Sequence, residues 1–110
     1  MAYDEALAER VGQVLADRDD VVEKKMFGGL AFMVRGHMCV GITREDLMVR
    51  IGPNEFEDAL EQPHVRPMDF TGRPMKGYVF VAPAGFDSDE DLTQWVGRGL
   101  DFVATLPDKE

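Results

Sequence analysis

Two clusters in this chain carry side chains able to do chemistry. In the first, Lys24-Lys25 precedes Phe27-Gly28-Gly29, a basic pair and a double glycine inside an apolar run. Glycine backbone donors and ammonium groups both favour negative charge, so Lys24, Lys25, Phe27, Gly28 and Gly29 could form an edge that binds an anion or a peptide. The same residues also read as a solvated strand followed by a tight turn, with alternation placing Lys24 and Lys25 on opposite faces. A phosphate loop or dinucleotide fingerprint does not fit, because no further spaced glycine, no Lys-Ser/Thr and no helix follows. In the second cluster, Asp69, Arg73 and Lys76 are framed by Met68, Phe70 and Met75, a polar centre in an apolar rim. The planar fork of Arg73 suits a carboxylate or phosphate. Its structural alternative is a salt bridge to Asp69 that fixes the Thr71-Gly72 turn.

Other chemistry finds less support. His37 and Cys39 stand two apart, but only His64 adds a further nitrogen ligand, whereas a closed zinc site needs four ligands. Asp87, Asp89 and Asp91 resemble the start of a calcium loop, yet Leu92 stands where its glycine belongs and Arg98 where its glutamate belongs. The one serine, Ser88, sits three residues before Asp91 as a helix cap, so no nucleophile and base are paired by motif. The reading is therefore non-enzymatic, with no cofactor and no metal.

The elements that must position these residues follow from periodicity. Leu7, Val11, Val14 and Leu15 predict an amphipathic helix from Asp4 to about Arg18. From Val21 to Ile51 the period changes to two. Phe32 and Val34 share a side, as do Met38, Val40 and Ile42, and then Leu47, Val49 and Ile51. Short turn signals at Phe27-Gly28-Gly29, Arg35-Gly36-His37 and 43–46 require antiparallel neighbours. Gly52-Pro53-Asn54 opens a short helix with Phe56, Ala59 and Leu60 inside. The stretch 62–67 reads as irregular or extended, and two further strands surround a Gly-Pro loop, the second from Tyr78 to Ala82. Leu92, Val96, Leu100, Val103 and Leu106 stripe a last helix, which Pro107 ends. Gly99 lies beside that stripe and allows a close approach to the sheet, while Gly97 has no such reason. The expected fold is α+β, a single antiparallel sheet of five to six strands with helices at the N-terminus, middle and C-terminus, in one domain over 1–110.

At 110 residues, 45% hydrophobic and 30% charged, the chain suits one globular core. Residues 1–20 hold six acids and two bases, residues 81–110 seven and two, and the middle is balanced, which accounts for the net charge of −9. An acidic chain without clustered bases makes nucleic acid a poor partner. No run spans the ~20 apolar residues of a membrane helix and no export signal opens the chain, so the cytoplasm is expected. A single cysteine agrees with that compartment, and its apolar neighbours suggest a buried thiol. Leu30 to Val34 and Met38 to Val40 are apolar on both alternating sides, so both sheet faces should be covered. Helices would cover one. The Pro-rich connection or a second copy of the chain, as a homodimer, would cover the other.

Four blocks resemble the N-terminal domain of the TfoX (Sxy) competence-regulator family. They are the run from Lys24 to Met33, Gly36-His37-Met38-Cys39, Asp46-Leu47-Met48-Val49-Arg50, and the run from Pro67 to Gly77. The resemblance implies a small secretion-chaperone-like α+β domain in a family tied to regulation of DNA-uptake genes, with no accepted catalytic activity. The full-length regulators carry a second helical domain beyond this one. The expected function is a non-catalytic regulatory or protein-interaction module with an unidentified protein partner. A small-anion receptor using Lys25, Arg73 and Lys76 is the second reading, and weak nucleic-acid binding the third.

Overall fold

The computed structural model describes residues 3–26, 29–69 and 74–107, excepting the side chains of residues 26, 68, 69, 74 and 75. The elements run α1 (Glu5–Val14), β1 (Val21–Met26), β2 (Gly29–Val34), β3 (His37–Thr43), β4 (Asp46–Arg50), α2 (Phe56–Leu60), β5 (Val65–Asp69), β6 (Pro74–Val81) and α3 (Asp89–Val103). The six strands form one antiparallel sheet in the order β1-β2-β3-β4-β6-β5. This is the expected α+β architecture.

Helix ends follow from capping. The Asp4 carboxylate accepts from the backbone N–H of Ala6 at 2.9 Å and Leu7 at 3.2 Å, satisfying donors that an α-helix leaves unpaired in its first turn. Ser88 Oγ accepts from Asp91 N at 3.1 Å, as its position predicts. The first helix is shorter than its apolar spacing suggests, stopping at Val14, with Leu15 still buried in the turn that follows. Between β2 and β3 the two-residue turn Arg35-Gly36 has positive φ at both positions, as a twist-matched hairpin turn requires. The Arg35 side chain reaches the far end of α3, donating to the carbonyls of Val103 at 3.2 Å and Leu106 at 2.9 Å. A cation there also meets the negative end of the helix dipole.

All three helices pack on the same side of the sheet. Leu7, Val11 and Leu15 of the N-terminal segment, Phe56 and Ala59 of α2, and Leu92, Trp95, Val96 and Val103 of α3 share one core. From the sheet it takes Phe32, Val34, Val40, Ile42, Leu47, Val49, Val79 and Val81. At Gly99 a Cβ would stand 3.0 Å from the Cys39 carbonyl oxygen and 3.2 Å from Val40 Cγ1. The helix therefore seats its backbone directly on β3, as expected for this glycine. Around Gly97 nothing lies within 4 Å of that position. No described helix is long and apolar enough to cross a membrane.

Two expectations change. Met38 does not share a side with Val40 and Ile42. Phe32 pairs with Val40 and Met33 with Met38, so Cys39 is an extra residue on β3, a bulge that turns both Cys39 and Val40 toward the helices and Met38 away. The Pro-rich stretch does not cover the second face either. Its C-terminal part becomes β5, which lies in the plane of the sheet as an edge strand.

Candidate binding face

The side of the sheet turned away from the helices is built by register. Lys24 pairs with Ala31, Ala31 with Gly41, Gly41 with Met48, Met48 with Phe80, and Phe80 with Arg66. One row therefore crosses all six strands, with apolar or small residues in the middle and a cation at each end. At the usual strand spacing the row is roughly 24 Å long. A second row begins with Val22, Met33 and Met38, and past the bulge it continues as Arg50 and Tyr78. Met48 and Phe80 form a small apolar cluster of their own, joined by Met38 and Tyr78 and containing no helical residue.

Packing across this face is graded. At its centre Met48 is 4% exposed and Phe80 is 7% exposed. The Arg66 guanidinium lies 4.9 Å above the Phe80 ring and continues to an ion pair with Asp46. Arg50 lies 5.5 Å from the Tyr78 ring and 5.3 Å from that of Phe102. These cations spread their aliphatic stems over aromatic faces, covering apolar surface and keeping their charge near water. Toward β1 the cover thins. Met33 and Met38 are half-buried, and Val22 is 62% exposed, alone among the described large hydrophobic residues.

Charge separates this face from the rest of the molecule. Among the described side chains, Lys24, Arg50 and Arg66 lie on this face against one acid, Asp46, in a chain of net charge −9. The acids concentrate instead on the N-terminal segment and on α3, whose first turn alone carries Asp89, Glu90 and Asp91.

The predicted site residues scatter. Lys24 points to the helix-free face and Lys25, opposite Leu30, to the helix-covered one, and both are exposed. Gly29 belongs to β2 rather than to the turn. A Cβ there would overlap the Ile42 carbonyl oxygen, so its glycine serves strand packing. Phe27, Gly28, Phe70 and Arg73 lie outside the described residues. The backbones of Asp69 and Met75 lie where β5 meets β6, Asp69 opposite Pro74, with their side chains undescribed. Lys76 is exposed on β6. The Met26–Gly29 pair closes one end of the sheet and the Asp69–Pro74 pair the other, with β3 and β4 between them. Lys25 and Lys76 are thus placed far apart rather than in one anion site. Arg66, Met48, Phe80 and Tyr78 were not singled out from the sequence, because the signal that unites them is cross-strand register.

Two hollows flank Arg98 on α3. One, of about 370 Å³, has Ile51, Gly52 and Phe102 as its floor and Glu55 and Asp101 on its rim. The other, of about 490 Å³, is more polar and includes His64, Gln94 and Trp95. Arg98 itself stacks 5.0 Å from the Trp95 ring and pairs with Glu55 at 3.4 Å and Asp58 at 3.8 Å. An acid-rich rim around one occupied guanidinium is poorly matched to an anionic ligand. Burial pushes the Cys39 thiol up to about 12, leaving it almost wholly protonated at neutral pH. Among the described residues no three His, Cys, Asp or Glu side chains converge on a point that could hold a metal ion.

A family model described as TfoX N-terminal domain matches residues 13–103. The chain belongs to this family. The match runs from within α1 to the end of α3 and includes the whole sheet. No curated protein and no solved structure matches the chain. This TfoX N-terminal domain therefore combines one helix-covered sheet face with one that carries no described helix, and Lys24, Arg50 and Arg66 lie on the latter.

Proposed function

We propose that this domain is a non-catalytic interaction module that holds a protein partner on the helix-free face of its sheet. The observation that carries the reading is the six-strand row from Lys24 to Arg66, apolar in the middle and cationic at both ends. An apolar centre with a charged rim is the makeup of a protein interface. A basic rim on an acidic protein selects a partner segment bearing carboxylates beside apolar side chains, since opposite potentials steer and orient association. Regulation of the kind suggested by the family would then pass through that partner in the cytoplasm, the compartment suited to one buried thiol.

The small-anion reading draws less support, because Lys25 and Lys76 stand at opposite ends of the sheet and Arg98 is already ion-paired. Site-specific photo-crosslinking in living cells tests the reading. A crosslinker at Met33 should capture one discrete protein, while one at Glu9, on the exposed side of α1, should not. Equal labelling at both positions, or none at Met33, would remove the proposal.

A further inference from the structure

The two outer strands of the sheet differ. The outer edge formed by β5 contains Pro67, which offers no N–H, and its register shifts between Pro67 and Asp69. Both features discourage pairing with another strand. The edge formed by β1 has neither. Its six residues pair with β2 in unbroken register from Val21–Val34 to Met26–Gly29, and no described strand lies on its outer side.

Backbone direction on β1 can be read from one hydrogen bond. The register extends to place Asp20 opposite Arg35, and the Arg35 N–H donates to the Asp20 carbonyl at 3.1 Å. Even-numbered residues of β1 therefore turn their backbone groups toward β2, and Val21, Glu23 and Lys25 turn theirs outward. The segment is also polarised along its length, Asp19-Asp20-Val21-Val22-Glu23-Lys24-Lys25, acids first and bases last. An antiparallel copy of such a strand brings acids against bases.

We propose that two copies of this chain pair antiparallel through β1, with Val22 on the two-fold axis, to make one continuous twelve-stranded sheet. The outward-facing odd residues allow only registers that set odd against odd. Centring on Glu23 or Lys24 places like charges directly opposite, which is unfavourable. Centring on Val21 sets Asp19 against Glu23 and Arg18 against Lys24. Centring on Val22 sets Asp20 against Lys24 and Asp19 against Lys25 on both sides of the axis, and packs the exposed Val22 against its counterpart. That axial pair is of the non-hydrogen-bonded kind, in which side chains approach most closely. The inference is independent of the partner reading, since a single chain could still use its helix-free face.

Sedimentation of the intact chain over 1–100 μM, combined with cysteine scanning, tests it. Dimer is expected within that range, and Val22→Lys, on an exposed position, should weaken it by at least about tenfold. Under mild oxidation Val22→Cys should form a covalent dimer, because Cα atoms about 4.5 Å apart across the axis are within disulfide reach. Lys24→Cys should not, since its counterpart lies four residues along the paired strand. The buried native Cys39 supplies a silent background. A wild-type chain that stays monomeric at 100 μM, or crosslinking that favours position 24 over position 22, would overturn the proposal.

Discussion

The two faces of the sheet use the same strands to opposite ends. On the helix-covered face, Leu47, Val49, Val79 and Val81 meet side chains from three helices and are fully buried. On the other, Met48 and Phe80 are nearly as well buried, but in a small cluster with Met38 and Tyr78, and Arg66 lies over Phe80. Equal burial therefore hides unequal packing. Side chains held between two layers have partners on every side, whereas Met48 and Phe80 belong to a small cluster that no described helix joins. The difference shows why a residue's exposure alone does not identify a binding surface, while the nature of its neighbours does.

Substitutions on adjacent residues of β4 should separate the faces most widely. Leu47→Ala should cost about 2–5 kcal/mol, the range for a leucine cavity in a rigid core. Met48→Ala, one residue along and on the other face, should cost about 1–2 kcal/mol, nearer the transfer term alone. Chemical denaturation of both variants measures the contrast, and equal losses would mean the two faces are packed alike.

Two glycines of α3 sharpen the same contrast. Gly97→Ala places its methyl where nothing lies within 4 Å and should stabilise the protein by about 1 kcal/mol through helix propensity. Gly99→Ala pushes a methyl against the Cys39 carbonyl at 3.0 Å and should destabilise despite the same propensity gain. Opposite shifts in Tm are expected. Shifts of the same sign would show that α3 is not seated on β3 as described.

The smallest effect concerns the loop entering β1. Arg18 donates to both oxygens of Asp20, at 2.9 and 2.8 Å, and this holds the carboxyl below its usual range. The folded protein thus binds that proton more weakly than the unfolded chain. The stabilisation is present above the ordinary carboxylate value near ~3.9 and is lost as pH falls through the lower folded value. Asp20→Asn should lower Tm slightly at pH 7, and the gap to wild type should close well below about pH 4. Because both groups are largely solvent-facing, the gap at neutral pH should also shrink in high salt.

Much of the fold was legible because it is local. Helical spacing and caps located Asp4 and Ser88, and alternation placed three or four strands between Val21 and Ile51, where the structure has four. The apolar content of both strand sides points to a cover on each face, and the Pro-rich stretch expected to supply the second lies in the sheet as β5 instead. Three features escaped for physical reasons. The placement of β6 beside β4, with β5 outermost, depends on long-range pairing that periodicity does not encode. The bulge at Cys39 breaks alternation with no glycine or proline to signal it, so Met38 was assigned to the wrong face. The row linking Lys24 to Arg66 requires five registers at once, while single segments pointed instead to Lys24-Lys25 and the 69–76 region as separate clusters.

The bulge has one more consequence. By adding Cys39 midway along β3, the chain lets one strand obey two phases, with His37 and Met38 set by one and Gly41 and Ile42 by the other. Removing that residue would do more than shorten β3. It would leave Met38 opposite Met33, still on the helix-free side, while taking away the thiol and the carbonyl against which Gly99 is seated. The extra residue therefore serves the helix side of the sheet without moving the other.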